Sequence, residues 1–342
     1  MKTPAIFRLS KALLAYKQKR EVVKAMPLRL WVETSTMCNL ECIMCPNKDL
    51  PDDQVSVMDL ELFEKIVDEA SGFAQDIYLH HRGEPLINPQ LFSMIRYAEE
   101  AGLRTRFHTN GTMLTPARAT KLLEAAPSMI SFSFDGFSKE PYERIRQGAS
   151  FEKTLENILF LAKQKRLKKL KHPYIVVERI KFKNPNLADD PQVVADMTKL
   201  LRDAGVDEVI EKDEYDWAGT EVQLEKSENT TPAQNTCCTF PWYAMVICAD
   251  GTVTPCPQDF MGEMVMGNVR NTSLREIWNN DAYCKLRRGF SEGNTLPATC
   301  AHCDRLTRDT IAGVPLQYAK TFLIDQFAGY GKLRKFFGTA ER

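Results

Sequence analysis

The 342-residue sequence has no apolar run approaching 18 residues, so no part of it reads as a membrane span. Neither charge sign is in excess, with 45 basic residues against 45 acidic ones. No global field therefore favours nucleic acid or an anionic surface. There is no secretory signal, because the apolar stretch near Ala12–Leu14 is short and has lysines on both sides. Internal repeats and low-complexity tracts are missing too. Cysteine is absent from the whole stretch between Cys45 and Cys237, although the chain has ten. A disulfide scaffold would spread them through a short secreted chain. Two clusters, at 38–45 and 237–303, point instead to metal in a reducing, cytoplasmic compartment. A hydrophobic content of 44% is that of a folded globular protein, and the length allows one large domain plus a smaller one.

What is present is led by Cys38-Asn-Leu-Glu-Cys42-Ile-Met-Cys45, directly after an expected strand at 28–34. A [4Fe–4S] cube normally takes four thiolates, so a tight loop of three leaves one iron open to a small molecule. Structural zinc is the alternative, but it wants four closed ligands, and no fourth lies nearby in sequence.

Strand and helix patterns then alternate. Strands are expected at 28–34, 76–81, 104–109, 130–135, 174–182 and 207–211, with helices at 59–73, 89–101, 115–126, 151–170 and 191–204. Five helices joining six strands imply an α/β fold with a parallel sheet and right-handed crossovers. Six units are too few to close an eight-fold barrel, so an open, curved (β/α)6 partial barrel is expected, with functional groups at the C-terminal strand ends. In Ile130-Ser131-Phe132-Ser133-Phe134-Asp135, the serines and aspartate share one face and the phenylalanines the other. The apolar face belongs to the outer helices, which turns Ser131, Ser133 and Asp135 towards the interior; a sealed core would not want them there. His80, His81 and His108 are candidates for proton transfer, with ordinary strand positions as the alternative.

Domain boundaries are read as a basic amphipathic helix within 1–27, the partial barrel at 28–211, a polar linker at 212–236, a cysteine-rich module at 237–310 and a second amphipathic helix within 311–342. In the module, Asp250-Gly251 between alternating segments signals a hairpin. The hairpin brings Cys238 and Cys256 towards one end, and Cys300-x2-Cys303 completes a four-thiolate site that would suit zinc equally well on chemistry alone.

The cysteine loop resembles the signature of the radical S-adenosylmethionine (AdoMet) superfamily, and the C-terminal module is similar to its SPASM/twitch extension. The resemblance implies that Cys38, Cys42 and Cys45 hold a [4Fe–4S] cluster whose open iron chelates AdoMet. Reductive cleavage then gives a 5′-deoxyadenosyl radical that abstracts hydrogen from a C–H bond. The cofactor carries the chemistry, while the protein positions substrate and excludes water. Gly83-Glu84-Pro85 matches the end of the family's Gly-Gly-Glu-Pro, with Arg82 in place of the first glycine. Asn110, in Thr109-Asn110-Gly111, belongs near the cofactor. Ser133 is expected on the AdoMet methionine or ribose, and Met44 in a usually aromatic position beside adenine. Asp135 and Glu178 are further cofactor-binding candidates, Glu178 on an ambiguous alternation.

Cys238, Cys256, Cys300 and Cys303 are implied to hold one auxiliary [4Fe–4S] cluster, because the further compact cysteine run of two-cluster relatives is missing. Cys237, Cys248 and Cys284 read as buried small hydrophobes. A saturated auxiliary cluster implies electron transfer and a net two-electron oxidation, with reduced ferredoxin or flavodoxin supplying the first cluster. Gln258-Asp259-Phe260 and Met264–Asn268 look similar to the aminocyclitol dehydrogenase of the group. The short segment before strand one has no room for a leader-recognition domain, so a small hydroxylated substrate is expected. A ribosomal peptide, a lipid-linked substrate reached through the two basic helices, and a non-catalytic iron–sulfur or zinc module are the alternatives. The catalytic base is not readable.

Overall fold

The computed structural model describes residues 5–214, 238–293 and 296–301, together with 303, 306, 310–311 and 314–315. Helix α1 (Ala5–Lys17) comes first. Six strands follow in chain order: β1 (Arg29–Val32), β2 (Asp76–Tyr78), β3 (Arg104–Thr109), β4 (Met129–Ser133), β5 (Tyr174–Lys181) and β6 (Glu208–Asp213). Each pairs in parallel with the next. The crossovers carry α2 (Leu60–Ala70), α3 (Leu91–Glu100), α4 (Pro116–Ala125), α5 (Lys139–Ile145) with α6 (Phe151–Leu167), and α7 (Pro191–Ala204). The expected (β/α)6 alternation is present. The addition is α5, whose seven residues are too few for a readable period.

The helices start where side chains satisfy their open N–H groups. Asp59 accepts from Leu62 N–H, Thr115 from Arg118, Ser150 from Lys153 and Asp190 from Gln192. Pro116 and Pro191 occupy first-turn positions, where the missing N–H costs nothing. In α2 the buried side chains are Leu62, Phe63, Ile66, Val67 and Ala70, the stripe a helix needs to cover one sheet face. In β4, Ile130 and Phe132 join the main core, and Phe134 follows them. Met129 packs separately with Val176 and Ile210, on the inner side of the curved sheet.

The sheet does not stop at β1. After the short helix α8 (Phe240–Tyr243), β7 (Ala244–Ile247) pairs in parallel with β1 on the side away from β2. The strands β8 (Thr252–Thr254) and β9 (Gly267–Asn268) continue antiparallel, giving the order β6-β5-β4-β3-β2-β1-β7-β8-β9. The expected Asp250-Gly251 hairpin is therefore present, but as an extension of the barrel sheet. Helices α9 (Leu274–Trp278) and α10 (Asp281–Glu292) follow.

At the N-terminus the expected long helix ends at Lys17, and residues 18–26 form an irregular strap over the C-terminal region. Its backbone is claimed by side chains from that region. Trp242 Nε1 donates to Arg20 O (2.9 Å), Trp278 Nε1 to Ala25 O (2.8 Å), and Asn279 bonds both N–H and C=O of Val23. Helical bonding would forgo these partners. The expected second amphipathic helix and residues 215–236 of the expected linker lie outside the described residues, while residues 212–213 belong to β6. No helix among the described residues is long and apolar enough to cross a membrane.

Arg287, in α10, is fully buried. It donates to the carbonyls of Pro241, Glu21 and Trp278 at 2.8 Å each, and lies over the Trp278 ring at 4.4 Å. One guanidinium thus joins the strap, α8 and the end of α9. Arg287→Met keeps the bulk but strands three carbonyl acceptors, those of Pro241 and Trp278 in buried bonds. It is expected to cost about 3 kcal/mol of stability, read as a lowered urea midpoint at unchanged slope.

Candidate active site

The chain leaves β1 at Val32 and enters the cysteine loop within a few residues. The loop is pinned to the end of α5, with Ile43 N–H donating to Ile145 O (3.1 Å) and Glu41 N–H to Gln147 O (3.0 Å). Leu40, Cys42 and Met44 pack there against Ile145 and Phe182, with Cys38 and Cys45 at the margin. Burial pushes the Cys38 thiol up and the Cys45 thiol up to about 11. Bare thiolates are thus disfavoured, and a cationic cluster is the kind of partner that would deprotonate them. Arg146, in the same turn, sets Nη1 3.6 Å from Cys42 Sγ. Its guanidinium is held by Asp135 through Nε (2.9 Å) and Nη2, and the other Asp135 oxygen accepts from Ile180 N–H (2.5 Å). Asp135 thus lines the cavity as expected, but its carboxylate is committed to Arg146. Arg146 lies in a loop between helices and carries no motif.

Glu84 is buried, and its carboxylate accepts from Thr109 Oγ1 (2.6 Å), Asn110 N–H (2.7 Å) and Leu86 N–H (2.9 Å). Burial raises its pKa despite these bonds. The adjoining Pro85 opens a buried single turn that fixes the direction of Glu84. Gly83 has φ +65°, and a Cβ there would lie 2.5 Å from Ser35 O and 2.6 Å from Met37 O. Only glycine fits where this backbone crosses the start of the cysteine loop. Asn110 reaches Asn39 Oδ1 (3.0 Å) and approaches Cys38 Sγ (4.0 Å).

Arg82, the departure from the expected glycine pair, is buried and has a structural partner that sequence reading missed. It grips Glu33 through Nε (2.7 Å) and Nη2 (2.9 Å), and Gln54 Oε1 through Nη1 (2.7 Å). Glu33 also accepts from Ala249 N–H (3.0 Å), just beyond β7. Burial alone would push Glu33 up, but the Arg82 hydrogen bonds and charge outweigh it and hold the carboxyl below its usual range. The pair ties the ends of β1 and β2 to β7.

One cavity of about 400 Å³ joins these groups. Its upper wall holds Cys38, Cys42, Cys45, Met44, Gly83, Glu84, Asn110, Asp135 and Arg146. Below are Ser133, Glu178, His80, His81, His108 and Lys212. Trp31, Tyr78, Phe240, Tyr243 and Pro257 close the side towards β7, with Trp31 and Tyr78 stacked at 4.7 Å. Ser133 is in register with Glu178, which resolves the ambiguous alternation of β5 in favour of the interior. Lys212 Nζ lies 2.8 Å from Glu178 Oε2, and His108 Nδ1 is 3.5 Å from the same oxygen. Burial opposes ionisation of Glu178, yet Lys212 and His108 outweigh it and bring its pKa to about 2.

Cys238 and Cys256 pack around Phe240 and Tyr243. Cys238, Cys256, Cys300 and Cys303 lie within mutual electrostatic reach, where burial first and neighbouring sulfurs second raise Cys238, and Cys256 to about 12. Among the described residues, no three His, Cys, Asp or Glu side chains gather about a single-ion position. The donor set is two groups of soft thiols, which fits iron–sulfur clusters. Cys248 is buried and Cys284 partly so, its Sγ 3.5 Å from Asn279 O.

Residues 32–177 match the radical SAM superfamily, and residues 237–304 match SPASM, an iron–sulfur cluster-binding domain. An AdoMet-dependent heme synthase of Methanosarcina barkeri is 33% identical over 132 residues, a match spanning 38% of each chain. A tungsten-containing aldehyde ferredoxin oxidoreductase cofactor-modifying protein of Pyrococcus furiosus is 26% identical, covering 80% of this chain and 86% of its own. The S-adenosyl-L-methionine-dependent 2-deoxy-scyllo-inosamine dehydrogenase of Niallia circulans is 24% identical, over 82% of this chain and 93% of its own. The fold is similar to that of BtrN in complex with AdoMet and 2-DOIA (TM-score 0.52, 19% identity, 83% of this chain and 96% of that one). It is also similar to Streptococcus suis SuiB bound to S-adenosylmethionine (TM-score 0.61, 15% identity, 86% and 74%).

Arg82→Gly restores the family residue but leaves Glu33 buried without its cation. The expected loss is about 3–5 kcal/mol near neutral pH. In the intact protein the depressed Glu33 carboxyl contributes stability above its unfolded pKa, and that contribution is lost as pH falls through the folded value. In the variant the sign reverses, because a protonated Glu33 is easier to bury alone. The deficit measured by urea denaturation is expected to shrink from pH 8 to pH 5.

Proposed function

Because the chain belongs to the radical SAM superfamily and carries an iron–sulfur cluster-binding SPASM domain, we propose that it oxidises a carbinol of a small hydroxylated substrate to a ketone by two electrons. The observation that carries this reading is one cavity lined both by the three-cysteine loop and by Phe240, Tyr243 and Pro257, which flank Cys238 and Cys256 in the chain. A substrate in it lies between a site of hydrogen abstraction and a site of electron removal. Cys38, Cys42 and Cys45 would hold the AdoMet-binding [4Fe–4S] cluster, and Cys238, Cys256, Cys300 and Cys303 an auxiliary one. Bound there, cluster and AdoMet supply a 5′-deoxyadenosyl radical.

The remaining work falls to side chains. Glu84 offers a buried carboxylate to the AdoMet ammonium. Gly83 lets its backbone approach the cysteine loop, and Pro85 keeps Glu84 in place. Asn110 and Ser133 offer polar atoms to the methionine or ribose portion, and Met44 packs beside the ring. Arg146, held by Asp135, presents a cation beside Cys42 that suits the AdoMet carboxylate. Glu178, Lys212 and His108 line the space beneath, where a hydroxylated substrate finds both donors and acceptors. Trp31 and Tyr78 give an apolar wall and help keep water out. A reduced ferredoxin or flavodoxin would supply the electron to the first cluster.

The match to the dehydrogenase supports an alcohol, and the cavity, shared with AdoMet, leaves room for a small molecule. A peptide is the second reading, favoured by the PqqA peptide cyclase of Ruegeria pomeroyi, 25% identical over 84% of this chain and 83% of its own.

Anaerobic reconstitution is expected to load about eight irons with matching sulfide. The Cys38→Ala/Cys42→Ala/Cys45→Ala variant should retain about four irons and lose AdoMet cleavage. The Cys300→Ala/Cys303→Ala variant should keep AdoMet cleavage and lose ketone formation. One zinc in place of the second set of irons would remove the oxidative reading.

A further inference from the structure

The oxidation above needs a proton acceptor as well as an electron acceptor, and the polar layer beneath the cysteine loop has the geometry for one. In β3, His108 lies two residues before Asn110, one inward step of about 7 Å along the strand. Asn110 is at the level of Cys38, so His108 lies at the depth a substrate beneath the cofactor would occupy. Its Nδ1 faces Glu178 Oε2 at 3.5 Å. That oxygen is anchored by Lys212 Nζ at 2.8 Å. On the other side, the His80 ring is 4.4 Å from the His108 ring, and His80 Nδ1 accepts the backbone N–H of His108 (3.2 Å).

We propose that His108 is the base that takes the hydroxyl proton of the substrate, with Glu178 as the residue that positions its ring. With Nδ1 turned to the carboxylate, Nε2 is the accepting atom, an arrangement of base and orienting group that recurs in acid–base catalysis. The proposal rests on the carbinol reading. The balance is as follows. The carbinol C–H bond breaks, and its hydrogen atom passes to the 5′-deoxyadenosyl carbon. The O–H proton of the remaining carbon radical goes to His108. One electron goes to an oxidised iron–sulfur cluster held by the second cysteine set. The C–O bond becomes a carbonyl.

The neighbours are poor competitors for the proton. Glu178, with its pKa brought to about 2 against the opposing effect of burial, stays ionised beside Lys212. Burial first, then His108, His81 and Lys212, push His80 far below the usual imidazole range. The titratable groups described around His108 are thus His80, just past β2, Glu178 from β5 and, through Glu178, Lys212 from β6.

The test uses the reconstituted full chain with 2-deoxy-scyllo-inosamine deuterated at its ring carbinols as probe. His108→Gln is expected to go on transferring deuterium into 5′-deoxyadenosine while ketone falls about 100-fold. Ketone formation in the wild type should rise with pH along a limb that His108→Gln lacks. In Glu178→Gln that limb should move to lower pH, because a carboxylate no longer favours the imidazolium. The Glu178→Gln profile stands as evidence even where His108→Gln fails to fold: an unmoved limb overturns the positioning role. Ketone at the wild-type rate from His108→Gln overturns the base role alone, and loss of deuterium transfer together with ketone makes His108 a binding residue instead. No ketone from the wild type overturns the carbinol reading, and this proton transfer with it.

Discussion

The structure depends on β1 being bonded on both sides. Three of its four residues pair with β2 on one flank, and all four pair with β7 on the other. A strand so short would be poorly held by one neighbour. With two, and with Glu33 at its end locked by Arg82 and Ala249 N–H, the exit point of the cysteine loop is determined. The loop hangs from that point, Gly83 closes against it, and Arg146 reaches it from the far side. A buried ion pair is a weak source of net stability against a hydrophobic substitute, but it is specific about partners. Here it joins three chain segments at one point, which is where positional accuracy matters.

The cavity is the second consequence. A barrel interior is normally filled by branched aliphatic side chains. This one keeps such packing on the β4–β6 side, with Met129, Val176 and Ile210, and gives the rest to polar groups. Each buried charge described there has an identified counterpart: Asp135 with Arg146, Glu178 with Lys212, Glu84 with three donors. A low-dielectric pocket whose carboxylates are already paired needs little reorganisation on binding.

The barrel was legible because helical and strand periods alternate over long segments, and the cysteine spacings were legible because metal ligation restricts them. The face of Ser133 and Asp135 could be read from strict alternation in β4. What could not be read depends on partners distant in sequence. Glu178 was ambiguous until its register with Ser133 was known. Arg146 is one loop arginine among many, and only the fold sets it against Cys42. Arg82 looked like a defect in a motif because its partner, Glu33, is 49 residues away. Residues 18–26 carry a helical pattern that lost to side chains from beyond residue 240, since a segment follows the hydrogen bonds that bury best.

The parallel pairing of β1 with β7 also bears on how the chain acquires its structure. Leu30 pairs with Met245, so the first strand synthesised gains its second neighbour only after more than two hundred further residues have appeared. Contacts of such separation form late and slowly. During synthesis the cysteine loop therefore hangs from a strand with one unpaired edge, and its final anchoring waits for the last third of the chain. The two cysteine sets, far apart in sequence, are brought to their working separation by a single late event, the docking of four residues against four.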